Sequence, residues 1–241
     1  GAGTMGNGIA QVFAQAGFNV HLQDTVLSAL DRARTTIEAS LGRLVSKNIL
    51  RPDERDATLE RLSTVRDLGA FSEVDYIVEA IIEDTDAKKH LFTALDSLVG
   101  SSVILASNTS SISISILAAT TGRPDRVLGM HFMNPAPLMP LVELVRGQHT
   151  SQETMAAAAA LCDQLEKTAV EASDRPGFIA NRILMPMINE AIYALMDKVG
   201  TAEAIDTVMK LGMKHPMGPL ALADLIGLDV CLDIMQVLHE G

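Results

Sequence analysis

The sequence opens with Gly1-Ala2-Gly3-Thr4-Met5-Gly6, and Asp24 follows at the end of the apolar-flanked run 18–23. In a Gly-x-Gly-x-x-Gly turn the first glycine permits the tight turn and the second lets the backbone approach a pyrophosphate. The third lets the next helix pack closely, with its first N–H groups directed at the phosphates. The spacing predicts a dinucleotide-binding βαβ unit. Its cofactor-binding residues are predicted to be Gly1, Gly3, Thr4, Met5, Gly6 and Asp24.

The type of dinucleotide is predicted from Asp24. Its carboxylate would accept hydrogen bonds from both ribose hydroxyls, whereas a 2′-phosphate would meet an uncompensated negative charge. No arginine follows until Arg32, so the sequence favours NAD over NADP. The alternative is a glycine turn at a helix start with a surface aspartate. The motif also leads us to expect a hydrophobic strand before Gly1, without which NAD is not expected to bind tightly.

Composition narrows the class of protein. The chain has 241 residues and a net charge of −11, which argues against nucleic-acid and anionic membrane partners. No apolar run approaches the roughly 18 residues of a membrane helix. Cys162 and Cys231 lie far apart without a Cys-x-x-Cys motif, so they are predicted to be buried thiols of a cytoplasmic protein. No metal site is predicted.

Strand and helix patterns alternate as far as about residue 173, which predicts an α/β fold with a doubly wound, mostly parallel Rossmann-type sheet. Strands are expected at 19–24, 75–82, 103–107, 126–131, 141–145 and 168–172. Helices are expected at 5–16, 26–47, 53–62, 84–98, 113–120 and 151–166. In a simple fold of this type the chain would return directly to the next strand of the sheet. Here the helices at 26–47 and 53–62 come first, so a helical pair that projects from the sheet is predicted.

After Asp174-Arg175-Pro176-Gly177 the pattern becomes helical only. We therefore predict an NAD-binding domain over residues 1–175 and a smaller all-α C-terminal domain over 176–241. Helix 178–199 carries a wide apolar stripe, and helix 220–238 is apolar nearly all round, so both need a covering surface. Two interpretations of what buries these apolar faces remain: a homodimer through this region, or further helices beyond residue 241.

A histidine and a glutamate are the candidates for chemistry. His131 ends an apolar strand, at the sheet edge where ligands bind. Glu143 lies mid-strand among aliphatic residues, where an unpaired carboxylate would be unfavourable, so His131 on a neighbouring strand is its expected partner. A histidine oriented by a carboxylate can exchange a proton near neutral pH. The alternative is a structural histidine, with Glu143 facing water on an edge strand.

Five separated motifs occur in the order found in the 3-hydroxyacyl-CoA dehydrogenases, and most closely resemble the short bacterial 3-hydroxybutyryl-CoA dehydrogenases. They are Gly1–Gly6, Ser107–Ser111, Gly129–Pro135, Asp174–Arg182 and His215–Leu220. The resemblance spans the whole chain and implies reversible, NAD-dependent oxidation of a short-chain (S)-3-hydroxyacyl-CoA. Family chains also have a strand before the glycine turn and further C-terminal helices, so both ends are expected to be truncated relative to that pattern.

The resemblance also implies roles for individual residues. His131 matches the catalytic acid/base and Glu143 its carboxylate partner. Ser110 matches a serine near the substrate's 3-oxygen, and Asn181 matches the active-site asparagine. The remaining matches line the nicotinamide half (Glu83, Lys88, Asn108) or hold the CoA moiety (Ser40, Lys47).

The residues alone leave other interpretations open. Ser110 and Asn108 could cap the helix at Ser113, and Lys47 and Lys88 could be solvated surface charges. Two rival functions also remain: a 3-hydroxy-acid dehydrogenase of the same architecture that acts without CoA, and a non-catalytic NAD-binding structural relative. An acidic protein that binds the polyanionic CoA needs a local cationic patch, and Arg43 and Lys47 share one helix face.

Overall fold

A computed structural model describes residues 1–241. The chain divides into two compact units, Gly1–Asp174 and Arg175–Gly241. None of its helices combines the length and apolar character needed to cross a membrane.

The first unit alternates helices and strands, as the sequence predicts. Its strands are β1 (Val20–Gln23), β2 (Leu62–Val65), β3 (Tyr76–Glu79), β4 (Ile104–Ser107), β5 (Val127–Phe132), β6 (Leu141–Arg146) and β7 (Thr168–Ser173). Its helices are α1 (Thr4–Gln15), α2 (Leu27–Ser46), α3 (Pro52–Glu60), α4 (Thr85–Leu98), α5 (Ile114–Ala118) and α6 (Gln152–Gln164).

The strands form two hydrogen-bonded sheets. Five strands are ordered β3-β4-β5-β6-β7, with only the β5/β6 pair antiparallel, and β1 pairs in parallel with β2. A cavity of about 440 Å³ lies between the edges of β1 and β3, with Ile9 and Phe13 of α1 in its wall. The predicted α/β class with a mostly parallel sheet is confirmed.

Helix α1 holds the unit together because it contributes to two apolar clusters. Ile9 and Val12 pack with the buried residues of β5 and α6, among them Leu128, Met130 and Cys162. On its other side Ala10 packs against β1, β2 and one stripe of α2, which comprises Leu30, Ala33, Ile37 and Leu41. The steps of three and four residues in that stripe match the helical period, so α2 buries one face and exposes the other.

One local prediction is wrong. The helix expected over residues 53–62 ends at Glu60, and Leu62–Val65 forms a strand beside β1. Four residues are too few to show a strand period, and the two central ones, Ser63 and Thr64, are exposed. The α2/α3 pair therefore returns the chain to an edge strand that only tertiary pairing with β1 reveals.

The second unit is all-helical, as predicted. It contains α7 (Ala180–Met196), α8 (Ala202–Thr207), a π-helical turn over Val208–Gly212, α9 (Pro219–Ile226) and α10 (Leu228–Glu240). Its core joins α7, α9 and α10 through Met185, Ile188, Ala223, Cys231 and Ile234.

The single helix predicted over residues 220–238 is wrong. Gly227 separates α9 from α10 with φ +102°, a backbone conformation that L-residues with side chains rarely adopt. The apolar residues on both sides of Gly227 conceal this break, because hydrophobicity alone does not show where a helix ends.

Candidate active site

Several candidate residues of the first unit lie near one edge of the five-stranded sheet. Glu79 and Ser107 end β3 and β4 and are register partners. His131 is the second-last residue of β5, which runs parallel to β4. This carboxyl-terminal edge of parallel strands is where doubly wound sheets bind ligands.

The glycine turn lies at the same edge and fits a dinucleotide. A Cβ on Gly6 would overlap the carbonyl oxygen of Gly1, so the start of α1 packs closely on the turn. A Cβ on Gly3 would meet no atom within 4 Å. Gly3 is also the N-cap of α1 and has no side chain to cap the first-turn N–H groups. The turn therefore offers open space and unshielded donors, which is what a pyrophosphate requires.

Asp24 directs its carboxylate at this turn. The carboxylate accepts hydrogen bonds from the backbone N–H of Ala2 and of Val26, both at 2.9 Å. Burial alone would raise the pKa of Asp24, but backbone hydrogen bonds, chiefly those from Ala2 and Val26, contribute to holding the pKa below its usual value. The carboxylate is therefore ionised at neutral pH beside the glycine turn, the position from which it could accept hydrogen bonds from ribose hydroxyls.

His131 and Glu143 form a buried pair. They are register partners across the antiparallel β5/β6 pairing, and His131 Nδ1 lies 2.7 Å from Glu143 Oε2. The two residues are only 8% and 2% exposed. Because β6 lies between β5 and β7, the alternative in which Glu143 faces water on an edge strand is wrong. The contact with Glu143 engages Nδ1 and orients the imidazole ring of His131.

Glu83, Lys88, Asn108 and Ser110 lie together where β3 and β4 end. Lys88 Nζ lies 3.3 Å from Glu83 Oε2, and the Lys88 side chain is 1% exposed, so it is not a solvated surface charge. The Ser110 N–H donates to Glu83 Oε1 at 2.9 Å. Asn108 Oδ1 accepts from the Phe132 N–H at 2.9 Å, which joins the end of β4 to the end of β5 beside His131.

Ser113 and Asp174 cap helix α5. The alternative in which Asn108 and Ser110 cap this helix is therefore wrong. The Ser113 side chain accepts from the Ile116 N–H. The carboxylate of Asp174 accepts from the N–H groups of Ile114 and Ser115 and from both serine hydroxyls. Asp174 thus anchors the end of the first unit to α5. The sequence indicated Asp174 only as the first residue of a motif.

The remaining predicted site residues lie on helices. Ser40 is inside α2 and Lys47 is its exposed C-cap, seven residues on, with Arg43 between them. Steps of three and four residues place the three on one face of α2. Asn181 belongs to the second unit, where it is buried at the second position of α7.

Sequence reasoning missed three buried charges of the first unit: Arg123, which pairs with Asp96, and the two described next. Lys167 Nζ donates to the carbonyl oxygens of Ala136 and Met139, both at 2.8 Å, and so fixes the loop that follows β5. Glu79 lies in the apolar run of β3 and contacts Lys88. The argument that singled out Glu143, a carboxylate among aliphatic residues, would also have identified Glu79.

A dinucleotide-binding turn beside a buried histidine–carboxylate pair defines a class of protein, the nicotinamide-dependent oxidoreductases. Comparison with protein families is more specific. The 3-hydroxyacyl-CoA dehydrogenase NAD binding domain matches residues 1–175, and the 3-hydroxyacyl-CoA dehydrogenase C-terminal domain matches residues 177–241. The chain belongs to the 3-hydroxyacyl-CoA dehydrogenase family, so the resemblance found in the sequence is confirmed, and NAD is its cofactor.

Individual relatives are similar over the whole chain. A probable 3-hydroxybutyryl-CoA dehydrogenase of Deinococcus radiodurans is 53% identical over 241 residues, which are 100% of this chain and 86% of the relative. A 3-hydroxybutyryl-CoA dehydrogenase of Bradyrhizobium diazoefficiens is 50% identical over 100% of this chain and 82% of the relative. The crystal structure of (S)-3-hydroxybutyryl-CoA dehydrogenase from Ralstonia eutropha superimposes with a TM-score of 0.97 at 48% identity, covering 100% and 85%.

Proposed function

We propose that the protein oxidises a short-chain (S)-3-hydroxyacyl-CoA, such as 3-hydroxybutyryl-CoA, to the 3-oxoacyl-CoA, and that it catalyses the reverse reduction with the same groups. The observation that carries the proposal is the 2.7 Å contact between His131 Nδ1 and Glu143 Oε2 at the cofactor edge of the sheet. The preference for a short acyl chain is supported by the relatives, which are named for the four-carbon substrate.

The proton chemistry is assigned to the buried pair. NAD+, when bound, supplies the acceptor for the hydride that leaves C3 of the substrate. His131 takes the proton of the 3-hydroxyl at Nε2, so one C–H and one O–H bond break as the carbonyl forms. Glu143 keeps the ring oriented and stabilises the imidazolium. Ser110 is proposed to bind the substrate's 3-oxygen, and Asn181, assigned from its motif alone, to hydrogen-bond that oxygen or the ring.

The cofactor residues are proposed as a set. The N-terminus of α1 and its glycine turn hold the pyrophosphate, and Asp24 holds the ribose hydroxyls. Glu83, Lys88 and Asn108 line the nicotinamide half of the cofactor site.

In this proposal residues 1–175 act as the NAD-binding domain and residues 176–241 as a helical C-terminal domain. Two free, buried cysteines, Cys162 and Cys231, support a cytoplasmic location.

Asp24 is expected to set the cofactor preference. NAD should be used well ahead of NADP, because the ionised carboxylate repels a 2′-phosphate. Asp24→Ala should reduce the ratio of kcat/KM for NAD to kcat/KM for NADP. It should do so mainly by raising the KM for NAD about tenfold, as expected for the loss of a charge-assisted hydrogen bond. Initial rates with both cofactors measure this change. Equal or better use of NADP by the unaltered protein would contradict the assignment.

The CoA moiety is assigned to the polar face of α2. Lys47→Ala should raise the KM for 3-hydroxybutyryl-CoA about tenfold, because one phosphate contact is lost. The KM for free 3-hydroxybutyrate should not change. Lys89→Ala, which removes a partly exposed lysine from a different helix, is the matched control. Reduction of NAD+ is followed with 3-hydroxybutyryl-CoA, a longer 3-hydroxyacyl-CoA and the free acid.

The same substrate comparison separates the rival functions. Turnover of the free acid that equals turnover of the thioester would favour a dehydrogenase acting without CoA. NAD binding without NAD+ reduction on any of the three substrates would favour the non-catalytic relative. The buried His131–Glu143 pair speaks against the second rival, because an NAD-binding scaffold alone does not need it.

We also propose a homodimer through the second unit. The second unit exposes large apolar side chains, among them Ile183, Val199, Leu211, Leu225, Leu228 and Leu232. Light scattering at micromolar concentration should give twice the chain mass. Leu225→Glu, which places a charge where the leucine is 71% exposed, should shift the protein towards monomer without unfolding it. A monomeric unaltered protein would contradict the proposal.

A further inference from the structure

Glu79 is a fully buried carboxylate that the proposed reaction does not yet use. Its side chain is 0% exposed at the end of β3. It accepts three hydrogen bonds, each at 2.6 Å, from the Ile81 N–H, Lys88 Nζ and Ser107 Oγ. A buried charge is tolerated only when it is paired and its oxygens are hydrogen-bonded, and Glu79 meets both conditions.

Lys88 lies between two carboxylates. Its ammonium group is 2.6 Å from Glu79 Oε1 and 3.3 Å from Glu83 Oε2. The closer partner is the buried Glu79, whereas the Glu83 side chain is 39% exposed. Glu79 therefore provides most of the compensation for the buried Lys88 charge, and Glu83 is only its second partner.

Glu83 directs its other oxygen at the turn that carries Ser110. Glu83 Oε1 accepts from the Ser110 N–H at 2.9 Å and from the Ser111 N–H and Oγ, both at 3.2 Å. Burial alone would raise the pKa of Glu83, but the Lys88 charge and the hydrogen bonds from Thr109 and Ser110 hold the pKa below its usual value. One ionised carboxylate thus serves both the lysine and the Thr109–Ser111 turn.

From this geometry we infer that Glu79 is a positioning residue for Ser110, acting through Lys88 and Glu83; the catalytic part of this inference rests on the proposed function. Because Glu79 Oε1 accepts a hydrogen bond from the Lys88 ammonium group, Glu83 Oε1 can keep its hydrogen bonds to the Ser110 and Ser111 N–H groups. Without the Glu79 charge, Lys88 has one carboxylate left and draws Glu83 towards itself. The turn then loses its shared acceptor, and Ser110 leaves the position from which it meets the 3-oxygen.

The test removes the charge while keeping the shape. In Glu79→Gln the amide oxygen can still accept from Lys88 and Ile81, and the NH₂ group can donate to the Ser107 hydroxyl. We expect kcat to fall on the order of 10- to 100-fold, the effect of a small misplacement of a reacting group. The control is Asp96→Asn, which disrupts the 2.6 Å pair of Asp96 with Arg123 at the other end of α4. It should lower the Tm, because the buried Arg123 loses its charged partner, and it should leave kcat within about twofold, because Asp96 lies near the end of α4 far from Lys88.

A second variant distinguishes positioning from a general structural role. In Glu79→Gln/Lys88→Met no ammonium competes for Glu83, so Glu83 stays with the turn. The Ser110 and Ser111 amides, which donate to Glu83 Oε1, should therefore exchange as slowly as in the unaltered protein. Exchange as fast as in Glu79→Gln would overturn the inference. This variant also serves if Glu79→Gln alone fails to fold, since it buries no unpaired charge.

Hydrogen exchange tests the structural part without substrate or cofactor. In Glu79→Gln the amides of Ser110 and Ser111 should exchange about tenfold faster, because their acceptor has moved, whereas Asp96→Asn should not change them. Unchanged exchange would overturn the inference even if the substrate assignment holds. Faster exchange in a protein that does not oxidise 3-hydroxybutyryl-CoA would refute the proposed function and leave the Glu79–Lys88–Glu83 coupling standing.

Discussion

Glu143→Gln is expected to lower kcat by about 10²–10⁴-fold, the range for removing a positioned general acid/base. The substitution keeps the shape of the side chain, but it removes the charge that orients His131 and stabilises its protonated ring. NAD binding and the fold should persist, because Glu143 lies within β6, whereas the glycine turn precedes α1 and Asp24 follows β1. Steady-state kinetics with 3-hydroxybutyryl-CoA, together with NAD titration, measures the two effects separately.

A double-mutant cycle tests whether the pair acts as a unit. His131→Gln combined with Glu143→Gln should be little worse than His131→Gln alone, since neither residue is expected to work without the other. Glu171→Gln, on the neighbouring strand β7, is the matched control because it removes a glutamate paired with Arg146 at the surface. Multiplicative losses would mean that Glu143 serves the fold or the substrate rather than the histidine.

Gly3→Val is expected to abolish NAD binding while the protein stays folded. A Cβ at Gly3 meets no protein atom within 4 Å, so the valine should not strain the chain. It would instead occupy the space through which the pyrophosphate reaches the first turn of α1. The Kd for NAD should rise on the order of 100-fold or more, about 3 kcal/mol, as expected when several backbone–phosphate hydrogen bonds are lost together.

The matched control for Gly3→Val is Gly100→Val. Gly100 follows α4, and a Cβ there also meets no atom within 4 Å. The same substitution at Gly100 should leave the Kd for NAD unchanged, and both variants should melt within a few degrees of the unaltered protein. Undiminished NAD binding by Gly3→Val would show that the glycine turn is not the pyrophosphate site.

The sequence was sufficient to predict the elements whose physical reason is local. The glycine turn, the apolar strands and the shift to helices after residue 174 each arise from spacing or periodicity within a few residues. The pairing of His131 with Glu143 was also predictable, because a carboxylate among aliphatic residues requires a partner. Strand Leu62–Val65 and the break at Gly227 were missed because neither has a local pattern strong enough to mark it.

What the sequence by itself determined was the class of protein, the NAD-type turn and the pairing of His131 with Glu143. Only the tertiary structure showed that Lys88 is buried between Glu79 and Glu83, that Glu83 holds the turn carrying Ser110, and that Lys167 fixes the loop after β5. Residues that are distant in the chain become neighbours when strands align at one edge of the sheet. Burial then makes each charge depend on a partner, and neither the neighbour nor the burial is encoded in local spacing.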